Sequence, residues 1–232
     1  MKAMILAAGL GTRMRPLTDH TPKPLLMAGG KPLIVWHIEK LALAGFHDII
    51  INLAWLGWKI PETLGDGSQW HVRLHYSDEQ QEGALETAGG IIKALPLLGD
   101  APFLVVNGDV WCDYACPPIT LKTNELAHLV LVNNPEHHPS GDFALDTHGR
   151  VYEKSTEAKL PYYTFSGIGY YHPALFAGLP YGKQALAPLL RQAMATGQVS
   201  GEWFAGDWRD IGTPARLASL DHDLQLRHQH ES

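Results

Sequence analysis

LAAGLGTRMRPLTDHTPKPLL, residues 6–26, runs from an apolar stretch through a glycine-bearing turn into a loop holding three cations, Arg13, Arg15 and Lys23. Glycine reaches positive φ at little steric cost and lets successive amides approach an anion closely. Gly9 and Gly11 therefore predict a turn, both glycines at positive φ, whose backbone cradles phosphate while the basic side chains add charge. A strand feeding such a turn opens an α/β unit, and such units gather ligands at the carboxyl ends of their strands.

Two familiar glycine loops are excluded by position. The dinucleotide fingerprint requires a third glycine three residues after the second, where Met14 stands. The nucleoside-triphosphatase loop requires Gly-Lys-Ser/Thr, whereas Gly11 is followed by Thr12 and Arg13.

The segment instead resembles the signature of the sugar-1-phosphate nucleotidyltransferases, L-A-A-G-x-G-T-R-[ML]-x-P-L-T followed by P-K-P-[LM]. It is matched from Leu6 through Thr18 and again from Pro22 to Leu25. The resemblance implies a Rossmann-like fold and the transfer of a nucleotidyl group from a nucleoside triphosphate to a sugar 1-phosphate, with Mg²⁺ as cofactor. It also implies that Ala8, Gly9, Leu10, Gly11, Thr12, Arg13 and Lys23 bind nucleotide, with Arg13 and Lys23 catalytic.

The pattern along the chain agrees with that fold class, α/β with a doubly wound, mostly parallel sheet. β-rich apolar runs at residues 2–7, 48–53, 72–76, 103–106 and 128–132 alternate with segments of helical period. One helix opens at Lys31-Pro32 with the stripe Leu33, Ile34, His37, Ile38, Leu41, Ala42 and stops at Gly45. Further helices are expected at about 85–95, 185–196 and 214–225. Beyond about residue 135 the runs shorten and alternate, which predicts a small, partly antiparallel lobe on the same sheet. The whole, 1–232, reads as one domain: a nucleotide-binding part over about 1–135, then a sugar-binding lobe and C-terminal helices over about 136–225, with 227–232 a loose tail.

Composition excludes other classes. A formal charge of −6 opposes general nucleic-acid binding, which depends on basic neutralisation of phosphates. Apolar stretches fall short of the roughly 20 residues that span a bilayer, and residues 3–8 are too short for a signal-peptide core. The only cysteines, Cys112 and Cys116, lack the partners of a structural zinc set and read as free thiols in a reducing cytoplasm. Small-molecule substrates, no nucleic acid, no membrane and a monomer or small homo-oligomer are the expected partners.

The remaining site residues are assigned by the resemblance. Asp109, past the strand at 103–106, corresponds to the family's metal-binding aspartate, and Asp210 in Trp208-Arg209-Asp210-Ile211-Gly212-Thr213 to its distant partner. Sugar-phosphate contacts are expected from Asn107, Gly141, Asp142 and Gly167, and from Glu153 and Lys154, which resemble an E-K-P segment in which Ser155 replaces the proline. Lys183 is an alternative cation. Residues 76–90 fit the family's base-recognising turn, with Gln80, Glu82 and Gly83 as candidate contacts. Asn107-Gly108-Asp109-Val110-Trp111, His137-His138 with Gly141-Asp142-Phe143, and Val199-Ser200-Gly201-Glu202 resemble the uridylyltransferase branch of the family that serves cell-wall recycling, which implies UTP and N-acetylmuramate 1-phosphate as substrates. Guanylyl, thymidylyl and cytidylyl transfer stay open, as does a catalytically silent nucleotide-sugar sensor.

Overall fold

The computed structural model describes residues 1–83, 85–154 and 160–231. In chain order its elements are β1 (Ala3–Leu6), β2 (Met27–Ala28), β3 (Lys31–Pro32), α1 (Leu33–Leu43), β4 (Asp48–Leu53), α2 (Lys59–Leu64), β5 (Arg73–Asp78), α3 (Glu86–Leu98) and β6 (Phe103–Asn107). They continue as β7 (Val110–Cys112), β8 (Ala127–Val132), β9 (Phe143–Leu145), β10 (Val151–Glu153), β11 (Tyr162–Tyr171), α4 (Leu186–Ala195), β12 (Val199–Phe204), β13 (Trp208–Asp210) and α5 (Pro214–Glu231).

The main sheet runs β5-β4-β1-β6-β11-β8-β12. β1, β4, β5 and β6 are mutually parallel, β12 is parallel to β8, and β11 lies antiparallel between β6 and β8. β9 pairs with the start of β11 and β10 pairs with β9, both antiparallel. This is the mixed lobe that the short alternating runs foretell.

Continuous apolar strands are buried on both faces, as in sheets covered by helices on either side. On one face Ala3 and Ile5 of β1 meet Ile49, Ile51, Leu104 and Val106, with Ile34, Ile38 and Leu41 of α1 above them. On the other, Met4 joins Ile50, Phe103 and Val105 under Ile91 of α3 and Leu190 of α4. A third cluster packs Leu217, Leu220 and Leu224 of α5 against Met14, Trp111 and Ile211, beneath the signature loop.

Some boundaries differ from expectation. α1 begins at Leu33, because Pro32 holds an extended conformation as its cap (φ −57°, ψ 144°). β12 and α2 were not expected: β12 carries Ser200, Gly201 and Glu202, whose polarity hides an edge strand. The loose tail at 227–232 is corrected for its greater part, since α5 continues to Glu231. Arg227 pairs with Asp207 and lies 5.2 Å over the Trp111 ring, which holds the helix end down.

Candidate active site

β1 delivers the chain into the glycine turn. Gly11 has φ 64°, and a β-carbon there would stand 2.9 Å from Thr18 Cγ2, so both conformation and space demand glycine. Thr18 Oγ1 donates to the Gly11 carbonyl at 2.7 Å and the Met14 amide to the same carbonyl at 2.9 Å, closing the loop. Buried Met14 anchors it in the α5 cluster. Gly9 departs from expectation, since it is not at positive φ, and a β-carbon there would meet nothing within 4 Å. Its missing side chain leaves room rather than relieving strain.

Backbone pairing brings the segments that bear Asp109 and Asp210 side by side just past the end of β6. The Gly108 amide donates to the Leu6 carbonyl at 2.9 Å, tying the turn after β6 to the end of β1. Asp109 follows, and Lys23 Nζ reaches its Oδ2 at 3.1 Å. Only 8 % of Lys23 is exposed, so this ammonium is committed to the site. β7 and β13 form a short antiparallel ladder that sets Asp210 opposite Val110, while the Ile211 amide donates to the Asp109 carbonyl at 2.9 Å. Asp210 Oδ2 accepts from Arg216 at 2.6 Å and lies 3.3 Å from His137 Nε2.

α1 braces this ladder. His37, 3 % exposed, hydrogen-bonds the Val110 backbone, and burial together with the nearby Lys40 charge lowers its pKa to about 3. Lys40 donates to the Cys112 carbonyl. Cys112 and Cys116 are buried free thiols.

A cavity of about 440 Å³ opens between turn and acids. Ala8, Gly9, Leu10, Gly11, Thr12, Arg13 and Lys23 all line it, as do Asn107 and Asp109. Asp210 does not line it, whereas Gly212, two residues further on, does. Among the described residues no acid pairs with Arg13, whose exposed side chain leaves its charge available at the rim.

The other sequence candidates lie outside that lining. Gln80 bonds Asp78, and Glu82 accepts from Lys93 and Tyr181, each at 2.7 Å, with Gly83 beyond it at φ 76°. Gly167 (φ 80°) packs on Asn107, where a β-carbon would come within 2.8 Å. Gly141 (φ 61°) precedes Asp142, which bonds His138 at 2.9 Å and accepts the Phe165 amide at 2.8 Å. Glu153 pairs with Arg191 at 3.1 Å, Lys154 follows it, and Ser155 lies outside the described residues. Lys183 faces Glu86 at 3.4 Å.

Asn52 and Glu79 also line the cavity, though their pattern alone did not single them out. The available signal was one polar residue inside the apolar run IIINL of β4. Burial raises the Glu79 carboxyl above its usual range, opposed by hydrogen bonds from Leu85 and Asn52.

A family model described as Nucleotidyl transferase matches residues 2–226. The chain belongs to the nucleotidyl transferase family. It is 52 % identical over 223 residues to N-acetylmuramate alpha-1-phosphate uridylyltransferase of Neisseria meningitidis, covering 94 % of this chain and 95 % of that protein. The protein of that name from Caulobacter vibrioides is 34 % identical over 230 residues, 94 % of each chain. A mannose-1-phosphate guanyltransferase of Aspergillus fumigatus is 42 % identical over 117 residues, 49 % of this chain and 32 % of that one. A solved structure from Bacillus anthracis, described as a glucose-1-phosphate thymidylyltransferase, superposes with a TM-score of 0.82 at 24 % identity, over 97 % of this nucleotidyl transferase and 95 % of that chain. At that identity the likeness concerns the fold.

Proposed function

We propose that this nucleotidyl transferase joins UTP to N-acetylmuramate 1-phosphate, forming UDP-N-acetylmuramate and pyrophosphate in the recycling of bacterial cell wall. The observation that carries the reading is the pairing of Lys23 with Asp109 in a cavity lined by the glycine turn, with the strand that bears Asp210 laddered alongside. The full-length likeness to two uridylyltransferases supports the substrates.

The chemistry needs no strong protein base. A phosphate monoester has a second pKa near 6 and is largely a dianion at neutral pH, so the sugar phosphate brings its own nucleophile. The obstacle is repulsion between anions, roughly 4 kcal/mol for two unit charges about 4 Å apart at an effective dielectric near 20. Lys23 neutralises the α-phosphate where attack occurs, and Arg13 steadies the departing β- and γ-phosphates. Ala8 to Thr12 supply backbone donors, and the cavity holds nucleophile and leaving group in line.

Asp109 and Asp210 fit a hard divalent cation. Both are oxygen donors at one end of the β7–β13 ladder, Asp109 immediately before β7 and Asp210 at the end of β13. Among the described residues no three His, Cys, Asp or Glu gather as a metal cage. Two carboxylates with substrate oxygens and water suit magnesium. When bound, the ion supplies charge neutralisation on the phosphates. Sugar contacts are assigned to Asn107, Gly141, Asp142, Glu153, Lys154 and Gly167, and base contacts to Gln80, Glu82 and Gly83. Among the described residues no helix is long and apolar enough to cross a membrane, and a cytoplasmic site of action accords with the triphosphate substrate.

The test is pyrophosphate release from UTP, GTP, dTTP and CTP, each with N-acetylmuramate 1-phosphate, mannose 1-phosphate and glucose 1-phosphate. The reading expects UTP with the muramate phosphate to lead. A lead for GTP with mannose 1-phosphate would reassign the enzyme, and triphosphate binding without turnover would make it a sensor.

A further inference from the structure

Two walls of the cavity are joined by a buried chain of hydrogen bonds that includes none of Arg13, Lys23, Asp109 and Asp210. The Ala7 amide donates to Asn52 Oδ1 at 2.7 Å. Asn52 Nδ2 donates to Glu79 Oε1 at 2.8 Å, and Glu79 Oε2 accepts the Leu85 amide at 3.1 Å. Asn52 is 3 % exposed and Glu79 is fully buried.

The two ends of the chain belong to different parts of the site. Ala7 enters the glycine turn, whereas Leu85 immediately precedes α3, whose Glu86 and Thr87 line the cavity. Glu86 has φ 61°, a conformation that costs a non-glycine residue on the order of 1–3 kcal/mol and persists only when its surroundings impose it. The Leu85–Glu79 bond is one such constraint. Gly90 lies so close that a β-carbon would press on Glu79 Oε1 at 2.8 Å and Asn52 Nδ2 at 2.9 Å, so α3 packs onto the junction itself.

Asparagine matches this position in a way its neighbours in shape do not. Its carbonyl oxygen satisfies an N–H and its amide satisfies a carboxylate, both at once. Leucine would orphan a backbone donor and a buried acid, and aspartate would set two carboxylates face to face.

We propose that Asn52 is a positioning residue for the nucleotide, fixing the distance between the glycine turn and the first turn of α3 and so setting triphosphate affinity. The chemistry at Lys23 and Asp109 is outside its reach. The inference rests on the nucleotidyl-transfer reading.

The test compares Asn52→Ala, Glu79→Ala, the double variant and the isosteric Asn52→Asp with the wild type. For each, KM for UTP, kcat, KM for the sugar phosphate and melting temperature are measured, with calorimetric UTP binding alongside. Loss of a hydrogen bond that holds a buried carboxylate costs about tenfold or more in an equilibrium constant. Each single variant is expected to raise KM for UTP about tenfold or more, with kcat and the sugar-phosphate KM within about threefold. The double variant should be no worse than about twice the poorer single one, because the chain is already broken. Multiplying effects in the double variant, or equal losses in both KM values and kcat, overturn the proposal. Should Asn52→Ala fail to fold, Asn52→Asp decides by the same split. Wild type that binds UTP without turnover removes the transfer reading, and calorimetry of the variants still tests this one. Wild type that does neither overturns both.

Discussion

Asp109 and Ile211 share a backbone hydrogen bond of 2.9 Å, and through it Asp210 is held beside an acid from the other half of the chain. Loss of either carboxylate should therefore act on one shared property. Asp109→Asn and Asp210→Asn are each expected to raise the magnesium concentration for half-maximal turnover tenfold or more, since even outer partners of a metal site cost about 10- to 100-fold in affinity. A magnesium titration of turnover measures it. An unchanged curve for Asp109→Asn would return that residue to the ordinary work of a turn.

Lys23 is the buried member of its ion pair, 10 % exposed at the side chain against 42 % for Asp109. Removing the lysine leaves an acid that water can still reach, so the fold should survive. Lys23→Ala is expected to lower kcat about a hundredfold, the scale of losing one donor aimed at developing charge. Circular dichroism and kcat measured together check this, and near-normal turnover in a folded variant would remove Lys23 from the reaction.

The two glycines of the turn should respond differently to alanine. At Gly11 the φ of 64° and the 2.9 Å approach to Thr18 make Gly11→Ala distort the loop, with stability and nucleotide affinity falling together. At Gly9 a β-carbon meets no protein atom, so Gly9→Ala should leave the melting temperature unchanged. The same methyl projects where Gly9 lines the cavity, and UTP affinity should fall about tenfold. Equal UTP affinity in Gly9→Ala and wild type would place the phosphates elsewhere.

What could be read from the sequence followed how local the cause was. The turn, its cations and the strands at Ala3–Leu6 and Asp48–Leu53 announce themselves because glycine, charge and apolar runs act over a few residues. Asp210 became legible only through resemblance, since the β7–β13 ladder is a pairing of distant segments with no local signature. β12 escaped because an edge strand tolerates Gly and Glu, and the Asn52–Glu79 contact because each residue alone looks like ordinary polarity. The end of α5 stayed hidden for a similar reason, its order coming from Asp207 and Trp111 rather than its own composition.

His37 gives the pH dependence of folding a definite sign. Burial, then the Lys40 charge, lowers its pKa to about 3 in the folded protein, while the unfolded side chain keeps the ordinary value of 6.5. Above pH 6.5 both states are neutral and nothing is lost. Between pH 6.5 and about 3 the unfolded chain takes up a proton that the folded chain refuses, so stability falls with falling pH. At about pH 5 the loss is on the order of 2 kcal/mol. His128, also lowered by burial, adds to the slope. His37→Gln cannot take up that proton. Urea unfolding at pH 7 and pH 5 should then show the variant losing about 2 kcal/mol less across the interval than wild type, with the slope from His128 retained. Identical losses in the two proteins would mean that His37 is protonated inside the fold, and that α1 meets Val110 through a charged ring.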